Sequence, residues 1–287
     1  FRHRLDKKMN NPEKAEMLII KMSFQQIKYS EAVFDDFLRY NYFFNFKNEN
    51  INMEDIFKKH FNFSFEEYAK FVNLVFLLSS KTQVLSKEII LNNIPTLDKL
   101  KIQSMLKHLT QTRDEFIESF NKNNKIGTED YDQFQKLYDF NPLLIKPFIS
   151  YEEELYLPIP QLMYWAITEG FYHKICDEEG KKFTEDFGKN VFEKYIEKII
   201  KTNEKIKIFP EFKYNKNNDL SPDFILVKGD EMIFLEAKAA KTIIQMRNLH
   251  LDCYKQEIKK AFGKAVKQCV KKEQLYLNGK MKESKDK

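Results

Sequence analysis

The stretch SPDFILVKGDEMIFLEAK, residues 221–238, restricts this chain more than any other part of it. Two short apolar runs flank Gly229-Asp230, a dipeptide suited to a two-residue hairpin loop. Such a loop pairs Lys228 with Glu231, and each step outward pairs the next residues on either side. Asp223 therefore falls opposite Glu236, with Cβ atoms about 4.5–5.5 Å apart. Side chains alternate faces along a strand, so Lys238 shares a face with Glu236. Two carboxylates and an ammonium meet at the open end of the hairpin, an arrangement that folding alone does not call for.

Composition sets wide bounds. With 287 residues, 43% of them apolar, the chain can bury a real core in one large domain or two ordinary ones. Phe dominates the large side chains, with 27 copies. The longest apolar runs, such as Leu74 to Leu78, fall well short of the roughly 18 residues that a membrane span requires. The chain opens on Phe1 rather than Met, which leaves its natural start and any targeting segment open. Cys176, Cys253 and Cys269 are odd in number and lack C-x-x-C spacing, which argues against disulfide scaffolds and zinc ribbons and fits a reducing cytoplasm. His3, His60, His108, His173 and His250 are scattered without metal-ligand spacing.

Charge is distributed unevenly. From Lys255 to Lys287, eleven Lys face four acids for a net of +7, so the chain's overall +5 leaves −2 before Lys255. Positive charge collects just after the carboxylates, where a polyanion would meet it. A solvated helix ending in a frayed Lys tail is the plainer account of the same run.

Periodicity predicts helices over residues 1–150. Ser64 with Glu67 reads as a capping box, and Phe65, Tyr68, Phe71, Val72, Val75 and Leu78 form the apolar face behind it. Thr112 with Glu115 opens another helix, with Phe116, Ile117 and Phe120 facing inward. Ser86–Ile90 and Asp98–Leu109 read as two short helices broken at Pro95. Ordinary packing explains that pair better than a helix-turn-helix, since no basic recognition face follows. Pro142, Pro147, Pro158 and Pro160 mark a connector, and with the helix from Leu162 to Cys176 it fills residues 151–182.

The last third reads as helix, strand, hairpin, helix. Phe187, Val191, Phe192, Tyr195, Ile196, Ile199 and Ile200 make one face of a helix over 184–201. Ile206, Ile208, Phe212 and Tyr214 alternate as a strand, with Pro210 suggesting an edge or bulge. After the hairpin, a helix from about Tyr254 to Gln274 is expected to bury Ile258, Phe262, Val266, Cys269 and Val270. Lys260, Lys264, Gln268 and Lys271 then form a stripe on its opposite side.

With Pro222-Asp223 on one strand and Glu236-Ala237-Lys238 ending the next, residues 183–287 resemble the PD-(D/E)xK nuclease superfamily, the restriction-endonuclease-like fold. The bare D/E-x-K pattern also occurs at Asp6-Lys7-Lys8, Glu179-Gly180-Lys181 and Glu283-Ser284-Lys285, but none of these ends an apolar strand paired with a Pro-Asp strand. The resemblance implies an α+β or α/β chain, with a helical domain over residues 1–150 followed by an αβββα(β) nuclease core over 183–287. It implies Mg²⁺, replaceable by Mn²⁺, held by Asp223, Glu236, the Ala237 carbonyl and Glu193, with Glu197 as fallback for Glu193. Lys238 would orient the attacking water, with Lys241 in reserve. Gln268 would stand beside the site, and Lys260, Lys264, Lys271 and Lys241 would grip the phosphate backbone.

By the same resemblance the substrate is nucleic acid, DNA before RNA, cut internally rather than from an end, in a cytoplasmic setting such as anti-phage defence. Two departures stand out. The closing strand is missing or barely begun at Leu275-Tyr276-Leu277, so a protein partner or second copy is expected to complete the core. No helicase or methyltransferase motif accompanies the nuclease. A non-catalytic nucleic-acid-binding scaffold and an RNA-cleaving toxin remain the alternatives.

Overall fold

The computed structural model describes residues 33–80, 82, 84–94, 97–124, 140–214, 217, 219–239, 256 and 259–281. They divide into two compact units, the first running to Gly180 and the second starting at Lys181. Both helix and sheet are present, so the chain is mixed α+β.

The first unit opens with α1 (Val33–Phe44), α2 (Met53–Phe61) and α3 (Phe65–Ser79). Local sequence sets their ends. Asn52 caps α2 through its side-chain oxygen, and Asn62 stops it by taking φ 64°, a left-handed conformation that Asn tolerates. Ser64 and Glu67 form the expected capping box at the start of α3. The helices bury an aromatic cluster: Phe44, Phe57, Phe61, Tyr68 and Phe71 are all fully enclosed. Phe61 stacks on Phe171 with ring centroids 3.9 Å apart.

Next come β1 (Val84–Ser86), α4 (Lys87–Asn93), α5 (Lys99–Leu109), β2 (Thr110–Thr112) and α6 (Arg113–Asn124). Beyond them lie β3 (Phe148–Tyr151) and β4 (Glu154–Tyr156). The strands form one sheet in the order β1-β4-β3-β2, with β2 parallel to β3 and the other pairs antiparallel. This corrects the expectation of a purely helical region. Strands of three or four residues are too short for a period-2 pattern to show. It also corrects the connector, because β3 and β4 occupy the middle of the sheet. Ile117, expected to face inward from α6, is 40% exposed. The two short helices around Pro95 do form, capped by Ser86 and Asp98.

α7 (Leu162–Trp165) and a π turn lead into α8 (Phe171–Phe187). Gly180 takes φ 77° inside α8 and interrupts its helical dihedrals at the limit of the first unit. A Cβ would resist that conformation.

In the second unit a π turn, Gly188–Phe192, passes into α9 (Glu193–Ile200). β5 (Lys207–Pro210), β6 (Phe224–Lys228) and β7 (Glu231–Leu235) follow as an antiparallel sheet in that order. Pro210 closes an edge strand, where a residue without an N–H costs the ladder nothing. After another π turn, Lys259–Gly263, comes α10 (Lys264–Leu277).

Two expectations about α10 are corrected. Leu275-Tyr276-Leu277 continues the helix instead of starting a strand, and Gly279 at φ 67° ends it. The amide of Gly279 donates to the Tyr276 carbonyl and that of Lys280 to Leu275, closing the helix as a Schellman motif. The apolar stripe, moreover, faces outward. Phe262, Val266 and Val270 are 64%, 59% and 47% exposed, while Cys269, Lys272 and Leu275 turn inward. Leu275 packs against Tyr214, Ile225 and Met281, and Tyr276 meets the Phe234 ring edge-on. Ile258 and Lys241 lie outside the described residues. Among the described residues, no helix is long and apolar enough to cross a membrane.

Candidate active site

The hairpin fixes the site. Gly229 takes φ 60° at the first loop position, as a type II′ turn requires, and the register runs from Lys228↔Glu231 to Phe224↔Leu235. Asp223 and Glu236 are the next residues on either side. The backbone ladder stops there and a side chain takes over: the Ala237 amide donates to Asp223 Oδ2 at 2.7 Å. Asp223 is thereby tied to the middle of the Glu236-Ala237-Lys238 tripeptide.

β6, the central strand, carries the buried residues Phe224, Ile225 and Leu226 and draws the preceding residues inward. Asp223 is only 7% exposed and Ser221 is fully enclosed. Ser221 is pinned on both sides, its amide donating to the Phe212 carbonyl and its hydroxyl accepting from the Phe212 amide.

The Glu236 side chain is almost fully buried, and both its oxygens are engaged. Lys238 donates to Oε1 at 2.8 Å and Lys272 to Oε2 at 3.2 Å. Lys272 also donates to the Ser221 carbonyl at 2.8 Å, so one ammonium bridges the two strands of the motif. Burial pushes the Glu236 carboxyl up, but the two lysines outweigh it and hold the group below the usual carboxylate range. Asp223 goes the other way. Burial first, and then the neighbouring Glu236 charge, raise it against the opposing pull of the Ala237 amide and Lys238.

Glu193 stands at the first position of α9. Burial raises its carboxyl, and the charge of Asp223 raises it further. Lys189, one turn earlier, reaches Glu193 at 3.2 Å and Glu211 at 2.6 Å. Glu197 is occupied elsewhere, paired with Lys194 and Lys201 at 2.8 and 2.6 Å. The segment leading into α9 also borders the motif, since a Cβ on Gly188 would sit 3.6 Å from the Ala239 methyl.

Gln268 is half-buried on α10, and its Oε1 is buried with no donor among the described groups. It lines a cleft of about 390 Å³ together with Lys264, Lys267 and Lys271. Lys260, Lys264 and Lys271 are exposed.

Sequence reasoning missed Lys272, Lys189, Glu211 and Ser221. Two of them had a signal. Stepping by four through Lys260, Lys264 and Gln268 arrives at Lys272, whereas the predicted stripe shifted to Lys271. Lys189 precedes Glu193 by four residues on a helical stretch, the spacing of a facing pair. Glu211 and Ser221 carried none.

Among the described residues, no three His, Cys, Asp or Glu side chains converge closely enough to hold a metal ion as they stand. The donor chemistry nevertheless fits Mg²⁺, which commonly takes one or two carboxylates and fills its remaining positions with water and phosphate oxygens. Asp223 and Glu236 would supply those carboxylates, and a cation there would offset the repulsion that, after burial, raises Asp223 and Glu193. Compared with known proteins, the chain matches no family model, no curated protein and no solved structure.

Proposed function

We propose that the second unit is a Mg²⁺- or Mn²⁺-dependent nuclease that hydrolyses phosphodiester bonds, DNA before RNA and internally rather than from an end. One observation carries the reading: the Asp223 carboxylate is bonded to the Ala237 amide and lies beside Glu236 and Lys238. A structural ion pair needs one acid and one base, so the second buried acid is left to chemistry.

Phosphodiesters resist attack because their charge repels nucleophiles and grows in the transition state. A bound divalent ion would polarise the phosphoryl group and acidify a water molecule. Asp223, Glu236 and the Ala237 carbonyl would hold it, with Glu193 assisting directly or through water. Lys238 would orient the attacking water and offset developing charge. Lys272 fixes Glu236 from the other side, and Lys260, Lys264 and Lys271 offer non-specific contacts for backbone phosphates. A cytoplasmic role in anti-phage defence belongs to the same proposal, and a failure to protect cells against every phage of a broad panel would remove that part.

A second reading is favoured by Glu236 itself. With both oxygens on ammonium groups, Glu236 is already neutralised without a metal, as a nucleic-acid-binding scaffold with no catalysis would have it. Plasmid, single-stranded DNA and RNA, each offered with Mg²⁺, Mn²⁺ or EDTA, separate the readings. A nuclease nicks plasmid only with metal, and Asp223→Ala and Lys238→Ala lose cleavage by about 10²–10³-fold at nearly unchanged melting temperature. Binding without cleavage supports the scaffold, cleavage of RNA alone supports a toxin, and cleavage surviving in both variants removes the assignment.

A further inference from the structure

The first unit holds a cleft that the carboxylate cluster does not explain. α4 and α5 lie over one face of the four-stranded sheet, and a cleft of about 440 Å³ remains between them and it. Sites for small molecules commonly enclose about 300–1,000 Å³. Strand register assembles its floor. Thr112 pairs with Ser150 and Ser150 with Leu155, so these residues share a face, and Thr110 joins them two positions along β2. Leu155 is fully buried and Leu106 of α5 nearly so, which gives the cleft an apolar wall.

Charge gives it a sign. Lys87, at the start of α4, and Lys107, in the last turn of α5, line the cleft, and neither belongs to an ion pair among the described residues. The one acid in the lining, Glu115, is turned to its own helix cap and accepts from the Thr112 amide at 2.8 Å. The lining is therefore net positive. The hydroxyl oxygen of Thr110, behind the cleft floor, is buried and has no hydrogen-bond partner among the described groups. Buried polar groups without partners are uncommon in folded proteins and ask for an explanation.

We infer that this cleft binds a small organic anion. A carboxylate or phosphate monoester pairs with Lys87 and Lys107, and an apolar or aromatic body lies against Leu106 and Leu155. A nucleic-acid strand does not suit a pocket of this size with two cations. The inference is independent of the nuclease reading, since no residue of the cleft lies in the second unit.

The test uses the full chain and 8-anilinonaphthalene-1-sulfonate, an aromatic body bearing one anionic group, with nucleoside monophosphates and aromatic carboxylates as competitors. Saturable one-to-one fluorescence enhancement is expected. Lys87→Gln with Lys107→Gln should weaken it about tenfold or more without moving the melting temperature, because both side chains are exposed. Leu106→Trp, which fills the cleft, should abolish it. An unchanged Kd in the double lysine variant overturns the inference. So does loss of binding in Phe262→Ser, which would place the dye on the exposed face of α10.

Discussion

The aromatic core of the first unit and the hairpin end of the second are both buried, but they are buried for opposite reasons. Phe57 and Phe61 pack against the rings of Phe44, Phe65, Tyr68 and Phe171, and there removal from water is itself the driving force. Around Asp223 and Glu236, burial works against the groups it encloses. Burial and then the neighbouring acids raise the carboxyls of Asp223 and Glu193, and two lysines are spent on Glu236. A fold that needed only stability would replace such a cluster with packed apolar side chains. The contrast separates residues that hold the protein together from residues held in place for something else.

That contrast can be broken by substitution. Phe61→Ala opens the middle of the aromatic cluster and should cost about 3–5 kcal/mol, read as a lower urea midpoint. A smaller loss than that of a surface substitution would mean that the cluster is not the stabilising centre. Asp223→Ala should do the reverse, lowering metal-dependent cleavage by about 10²–10³-fold while the midpoint hardly moves. Large unfolding in that variant would make Asp223 a structural residue and dissolve the distinction.

Lys272→Met sharpens the comparison within the site. It removes the bridge from Glu236 to the Ser221 carbonyl, and supporting contacts of this kind typically alter metal affinity or activity about 10–100-fold. Isothermal titration with Mn²⁺ reads the affinity without relying on turnover, and an unchanged value would leave Lys272 a bystander.

The smallest expected effect is in pH dependence. Asp223 and Glu193 have raised carboxyls, so the stability they contribute is complete below the ordinary carboxylate range and is lost as pH rises through their folded values. Glu236 is depressed, so its contribution is present above that range and is lost as pH falls. In EDTA, Asp223→Asn should therefore melt slightly above wild type at pH 7, and the advantage should vanish under acid. An advantage that persisted at low pH would show that charge is not its source.

Much of this was legible in the sequence where the determinant was local. The capping box at Ser64, the short helices at Ser86 and Asp98 and the hairpin register each depend on residues within a few positions of one another. The four-stranded sheet was not legible. Thr110–Thr112 and Val84–Ser86 are strands only because partners some 38 and 70 residues further on lie beside them, and three residues carry no period. Sequence alone does not separate Glu193 from Glu197, because both sit on one helix and tertiary position decides which one feels the charge of Asp223.

By itself, then, the sequence determined which residues a two-residue turn at Gly229 brings together, since backbone sterics and strand alternation leave that register no freedom. Only the tertiary structure decided how α10 is turned. Its sequence offers more than one stripe at helical spacing, and contact with β7 and the Tyr214 cluster selects the one bearing Cys269, Lys272 and Leu275. A helix can satisfy its own hydrogen bonds in any rotation about its axis, so which side chains reach the sheet is settled by packing and not by the helix.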